Sequence, residues 1–272
     1  MVLSSFVSLH PGVLFYNVIQ FLTICVIYKG EIDKPMPYSK FASTGSSSGG
    51  KSPAMVSSKT GMLIIYVPAA IVALIFQFIL PQFAWMDYST PSVAGWMVFA
   101  HFLKRVAEVL FLHKYSGETE LNAARMIGSS YALTAFMICL LSNPDVSAFG
   151  SSSSKLGMLL FVIGSLGNLY HHYLLALLRS SSKGQDSKTG KKTYKAPNGG
   201  LFEYVATPHY FFELVAWLGI SIVSRQLTSY LNFISMTSYL CARAYNQNQW
   251  NKKKFDENDW PSSRKNLIPF LY

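Results

Sequence analysis

The chain has 272 residues, half of them apolar and only 13% charged, against about 25% charge in an ordinary soluble domain. That shortfall excludes a conventional soluble fold. The formal net charge of +10 raises nucleic-acid binding as one reading. The basic residues lie between apolar runs rather than on one soluble face, so no nucleic-acid partner is expected; topology, anionic headgroups or a phosphorylated ligand explain them better.

Seven apolar stretches follow in chain order, at roughly 10–28, 61–85, 91–112, 126–142, 156–178, 202–223 and 227–245. Each is near the ~20 residues that span hydrocarbon as a helix. The expected fold is all-α, a polytopic membrane protein of about seven transmembrane helices. The first stretch lacks a basic n-region and a small-residue cleavage site, so it reads as a retained anchor. With the N-terminus lumenal and the C-terminus cytosolic, 19 of the 23 basic residues fall on the cytosolic side, which satisfies the positive-inside rule. The Gly/Ser-rich segments 43–58 and 180–192 read as flexible cytosolic loops. The chain divides into an N-terminal set of helices over 1–125 and a C-terminal membrane domain over 126–272. Cys25, Cys139 and Cys241 are scattered through apolar runs and read as packing residues, with neither a disulfide framework nor a zinc site.

The third stretch carries His101, Lys104, Arg105 and Glu108 along one helical stripe, a placement too costly against lipid. The stripe should face the bundle interior or a wet cavity. Lys104 with Glu108 alone would be a structural pair; two cations exceed what one acid balances. In the fifth stretch Asn168, His172 and Arg179 share a face, and His171 points partly elsewhere. The adjacent histidines cannot both turn one way on a helix, so metal binding is not expected. The sixth stretch opens with Gly199–Gly200, which permits a tight turn. It then places His209, Tyr210 and Glu213 after Pro208, which should loosen the backbone bonding. Arg243 ends the seventh, where a snorkelling arginine is the simplest account. There is no Walker loop and no G-x-G-x-x-G after a strand. A nucleotide would have to be held by helix ends and basic side chains, with Arg105, Arg179, Lys195 and Arg243 available for phosphates.

GGLFEYV at 199–205, Arg243 and RKNLIPFLY at 264–272 together resemble the C-terminal domain of the steroid 5α-reductase family, plant members included. HFLKRVAEVLFLHKYSG at 101–117 is similar to the very-long-chain enoyl-CoA reductases of the same superfamily. The resemblance implies an oxidoreductase of the endoplasmic-reticulum membrane that uses NADPH to reduce a carbon–carbon double bond conjugated to a carbonyl. The implied substrate is a lipid, a 3-oxo-4-ene steroid first and a trans-2-enoyl-CoA second. Association with other lipid enzymes of that membrane is a further implication. A lipid-binding protein without catalysis is the reading of another class. The resemblance implies Lys104 and Tyr210 as the catalytic pair. Cofactor contacts correspond to Asn168, Arg179, Tyr194, Glu213 and Arg243, with His209 and His172 standing where the steroid enzymes carry asparagine and aspartate. Ile65 and Tyr66 stand where they carry a substrate-binding Gln-Glu pair, and Phe102 where they carry a tyrosine. With His101 these give Tyr66 and Phe102 as the substrate-side candidates. Gln247 and Asn251 replace the family's histidine and tyrosine.

Overall fold

The computed structural model describes residues 6–37, 53–82, 91–142, 152–181 and 194–272. Most of the 43–58 and 180–192 segments lies outside the described residues. Seven long helices among the described residues overlap the seven apolar stretches. They are α1 (Pro11–Asp33), α2 (Ser58–Leu74), α3 (Val93–Ala107), α4 (Leu121–Leu141), α5 (Ser152–Ser181), α6 (Pro208–Ser224) and α7 (Leu227–Lys254). Four of them, α1, α2 with its continuation to Ile79, α4 and α5, are long and apolar enough to cross a membrane. The protein is an all-α polytopic membrane protein. Large apolar side chains on α1 face outward, among them Phe15, Phe21 and Leu22, as lipid contact requires.

Local chemistry sets the helix ends. Ser57 accepts from the Thr60 amide at 3.1 Å and caps α2, and Ser92 accepts from the Gly95 amide at 3.0 Å and caps α3; both satisfy amides that a helix start leaves open. α2 and α3 each widen into a π turn, at Ile75–Ile79 and Glu108–Leu112. The second begins on a charged residue of the predicted stripe, and such wide turns accompany functional sites. The end of the 43–58 segment is ordered as a strand, β1 (Met55–Ser57), which pairs antiparallel with β2 (Glu118–Glu120).

The sixth apolar stretch does not become one helix. Residues Gly200–Glu203 form a 3-10 turn, and α6 begins only at Pro208. Proline at a first helical position lacks only an amide that would have had no partner there. Pro208 therefore starts the helix rather than loosening one. The segment between turn and helix is held by the C-terminal stretch. Val205 bridges Lys265 in parallel, the Ala206 amide donates to Lys265 O at 2.8 Å, and the Lys265 amide donates to Tyr204 O at 2.9 Å. Asn248 of α7 ties in the same stretch, donating to Arg264 O at 3.0 Å and Asn266 Oδ1 at 2.8 Å.

Three packings build the bundle. α2, α3 and α4 enclose a core of Ile65, Val98, Phe102, Ala124 and Ile138, which Trp217 and Ile220 of α6 close. α5 lies along α6 at a distance only glycine allows: a Cβ on Gly164 would strike the Ala216 amide, and one on Gly167 the Phe212 ring. α1 meets α7 through polar groups, with Tyr16 donating to Asn232 Oδ1 at 2.7 Å and Ser235 donating to Gln20 Oε1 at 3.0 Å. Side-chain hydrogen bonds between helices are a usual membrane adhesive, because hydrocarbon offers no competing partner.

Candidate active site

The stripe on α3 meets polar side chains from three other helices. Lys104 Nζ donates to Glu108 Oε1 at 2.9 Å and to Asn168 Oδ1 of α5 at 2.5 Å. Arg105 bonds to the other oxygen of Glu108. Its second terminal nitrogen donates to the Tyr66 hydroxyl of α2 at 2.6 Å, and the guanidinium lies over the same ring, 4.6 Å from its centroid. His172 Nδ1 lies 3.0 Å from Arg105 and 3.2 Å from Glu108. Asn168 uses its amide nitrogen on the backbone carbonyl of His209 in α6, at 2.9 Å. Arg105, Glu108, Asn168 and His172 are all buried. An isolated charge there would cost several kcal/mol, so the arrangement holds only because its members satisfy one another.

A second acid stands beside this network. Glu213 Oε1 is 3.2 Å from His101 Nε2 and accepts from Trp217 Nε1 at 3.3 Å. The His101 ring packs edge-on against Phe102 and Trp217, with centroids 5.1 Å away in each case. Phe102 is fully buried in the apolar core behind the polar face.

Glu108, His113 and His172 bring donor atoms within 4.8 Å of one another. The place between the first and the last is taken by Arg105, which bonds to both. His113 follows the π turn, outside the span. Burial, with the His172 ring and the Arg105 guanidinium nearby, pushes its pKa down to about 3, so it is neutral at physiological pH.

Several predicted residues lie outside the network. Arg179 donates to Lys114 O at 3.1 Å. Tyr194 is exposed, edge-on to Trp250 at 5.1 Å, with Lys254 5.7 Å from its centroid. Arg243 is buried in an ion pair with Glu31 at 2.7 Å and also donates to Met36 O at 3.2 Å. Tyr210 packs in the second apolar cluster with Leu214, Leu240 and Leu267, beside the His209 ring at 4.3 Å.

Glu31 is a buried acid that the sequence reading missed. It is an acid at the end of the first apolar stretch, and the signal was that cost of placing a carboxylate next to hydrocarbon. His171, read as pointing partly elsewhere, was given no role; its ring binds a backbone carbonyl on one side and a backbone amide on the other.

Three buried nitrogens at the site have no hydrogen-bond partner among the described residues: His101 Nδ1, Arg105 Nε and His209 Nδ1. Such groups call for a polar ligand or water, since each unsatisfied one is costly. These unpartnered nitrogens lie among two cations, a hydroxyl and an amide that are bonded to one another.

Comparison with known proteins identifies the family. The sequence profile of the 3-oxo-5-alpha-steroid 4-dehydrogenase family matches residues 127–272. Rat 3-oxo-5-alpha-steroid 4-dehydrogenase 1 (Rattus norvegicus) is 31% identical over 211 residues, covering 71% of this chain and 76% of the relative. The very-long-chain enoyl-CoA reductase of Dictyostelium discoideum is 30% identical over 173 residues, covering 63% of this chain and 55% of the relative. Steroid 5-alpha-reductase DET2 of Solanum lycopersicum is 34% identical over 117 residues, covering 43% and 42%. The two stretches carrying the sequence resemblance, 199–205 and 264–272, are the ones that pair in space. The chain belongs to the 3-oxo-5-alpha-steroid 4-dehydrogenase family.

Proposed function

We propose that this protein is an NADPH-dependent reductase of the endoplasmic-reticulum membrane. On this reading it acts on a carbon–carbon double bond conjugated to a carbonyl in a lipid, with a 3-oxo-4-ene steroid as substrate. The observation that supports it is Lys104. Its ammonium group is half-buried among membrane helices, shared between Glu108 and Asn168, and adjacent in sequence to a buried arginine.

A nicotinamide cofactor, when bound, supplies the hydride that adds to the β-carbon. The carbonyl oxygen then gathers negative charge. Preorganised cations stabilise such charge without reorganising as it forms, and Lys104 with Arg105 is the cationic pair available here. The α-carbon needs a proton, for which Tyr210 is our assigned donor. The unpartnered nitrogens of Arg105 and His209 suit the acceptor oxygens of the cofactor, with Asn168, His172 and Glu213 around them. Arg179 and Tyr194 extend this set towards the phosphates. Arg243 joins it only by exchanging Glu31 for a phosphate.

Reduction of a trans-2-enoyl-CoA is the second reading. Lys104 lies in an HFLKR segment similar to the enoyl-CoA reductases, and one such relative is 30% identical. The test is purified protein in lipid nanodiscs with NADPH, given a 4-en-3-one steroid or a trans-2-enoyl-CoA. Steroid-dependent NADPH oxidation with a saturated 3-ketone product supports the first reading. Turnover of the enoyl-CoA alone replaces it with the second. Oxidation with neither overturns both.

A further inference from the structure

His171 lies next to the polar network without joining it, and both of its ring nitrogens are engaged. Nδ1 is 2.7 Å from the backbone carbonyl of Gly167, one turn back on α5. Nε2 is 3.1 Å from the backbone amide of Leu201, in the 3-10 turn that precedes α6. A carbonyl only accepts and an amide only donates. The ring is therefore neutral, with its proton on Nδ1 and a lone pair on Nε2.

The packing leaves this ring little freedom. It stacks on Phe212 of α6 with centroids 5.2 Å apart and planes 21° from parallel, and Phe202 closes its edge at 5.6 Å. Gly200 comes so close that an added Cβ would lie 2.9 Å from both Nε2 of His171 and the Tyr170 ring. Its φ of 55° is one that glycine alone adopts readily.

Three residues earlier on α5, Asn168 donates to His209 O. Two side chains of one helix thus fasten the segment that leads into α6, one at Leu201 and one at His209. Asn168 also receives Lys104. Any slide of the 200–209 segment along α5 therefore reaches Lys104, His209 and Tyr210 together.

We infer that His171 is a positioning residue that sets the register of the lead-in segment of α6 against α5, and that protonation of its ring releases this segment. The second part follows from the bonding. A proton on Nε2 turns the acceptor for Leu201 into a donor, so two N–H groups then face each other. The titratable groups around the ring are Tyr170 and His172 on α5 and His209 on α6. Glu203 of the lead-in segment is committed to the Gly199 amide at 2.6 Å. No ion pair between His171 and a carboxylate occurs among the described residues, so nothing there compensates the released amide.

The inference rests on the proposed reductase reading for its kinetic consequence, but its structural part is measured separately. Hydrogen exchange at the Leu201 amide is followed in nanodiscs at several pH values, corrected for the intrinsic rate. NADPH-dependent turnover is measured over the same range. In the wild type, protection at Leu201 and turnover should fall together and reversibly as the pH is lowered, because a histidine ring takes up a proton in acid. His171→Phe keeps the stack on Phe212 and removes both nitrogens. It should lower protection and raise the KM for NADPH by about tenfold, the scale of one lost buried hydrogen bond. His171→Gln offers a carbonyl oxygen to Leu201 that does not titrate in this range. It should restore protection at neutral pH and flatten the acid limb.

Unchanged protection and KM in His171→Phe would overturn the positioning role. An acid limb unchanged in His171→Gln would assign it to His113, His172 or His209 and overturn the switch. If His171→Phe fails to fold, the glutamine variant decides alone. A wild type that exchanges as described but oxidises no NADPH removes the reductase reading and leaves the clip standing.

Discussion

Lys104 donates to Asn168 at 2.5 Å, and the same amide donates onward to the carbonyl of His209. This link joins α3 to α6 through α5. It makes the charge on Lys104 and the start of α6 parts of one arrangement. Asn168→Ala should therefore change more than one contact. We expect kcat to fall by about tenfold or more, since the lost bond is to a charged group worth about 1.5–3 kcal/mol. Lys104→Met, which keeps the apolar stem, should cut kcat further, by about 10²-fold. Turnover per folded molecule is the measurement; near-normal turnover in both variants would make the link purely structural.

We propose Tyr210 as the proton donor, and the surroundings of Tyr210 differ from those of Tyr66, the tyrosine inside the network. Tyr66 is bonded to Arg105 within the network, whereas Tyr210 packs against Leu214 and Leu240 beside His209. Tyr210→Phe should reduce kcat by about 10²-fold if Tyr210 is the donor, with abundance unchanged. Tyr66→Phe leaves Arg105 one partner short and should lower folded yield as well as turnover. A silent Tyr210→Phe beside a folded but inactive Tyr66→Phe would transfer the role to Tyr66.

The pair of Arg243 with Glu31 holds α7 to α1 where both are buried. Removing one partner strands the other charge, at a cost of about 3–5 kcal/mol. Glu31→Leu should strongly reduce the thermal midpoint in detergent. The double variant Glu31→Leu with Arg243→Met should recover much of it, because the uncompensated charge is gone. No recovery would show that the other bonds of Arg243 dominate.

Glycine spacing sets the contact of α5 with α6. Gly164→Ala places a methyl group on the backbone of Ala216, and overpacking of that kind costs about 1–3 kcal/mol. Gly30, in α1, has nothing within 4 Å of an added Cβ. Gly30→Ala should be neutral or slightly stabilising, since alanine is the better helix former. Equal melting behaviour of the two variants would contradict this packing.

Orientation is open to direct measurement. The positive-inside count puts Lys195 and the C-terminal stretch in the cytosol and Lys155 in the lumen. In a background without the three native cysteines, Lys195→Cys and Ser263→Cys should react with an impermeant maleimide on sealed microsomes. Lys155→Cys should react only after permeabilisation. The reverse pattern would invert the topology.

The seven helices were legible because each is specified by its own run of apolar residues. The α3 stripe was legible because helical periodicity alone puts His101, Lys104, Arg105 and Glu108 on one face. The lead-in to α6 was legible only as the tight turn that Gly199–Gly200 permits; where α6 starts was not, because Pro208 follows in an equally apolar run. The 3-10 turn and the late helix start depend on hydrogen bonds to residues 265 and 266, about sixty positions away.

The sequence by itself determined that buried charges exist and on which helix each lies, since a residue's own hydration cost and the 3.6-residue period are local properties. Only the tertiary structure decided their partners. His209 and Tyr210 are neighbours in the chain and project about 100° apart on a helix. Which of them turns to the polar network depends on how α6 is rotated. That rotation is set by Gly164 and Gly167 against Ala216 and Phe212, and by Asn168 on the His209 carbonyl. Arg243 likewise reads as a snorkelling arginine at a helix end until α1 brings Glu31 beside it. In a medium that hydrates no charge, the nearest acid that the fold can deliver decides what a buried arginine does.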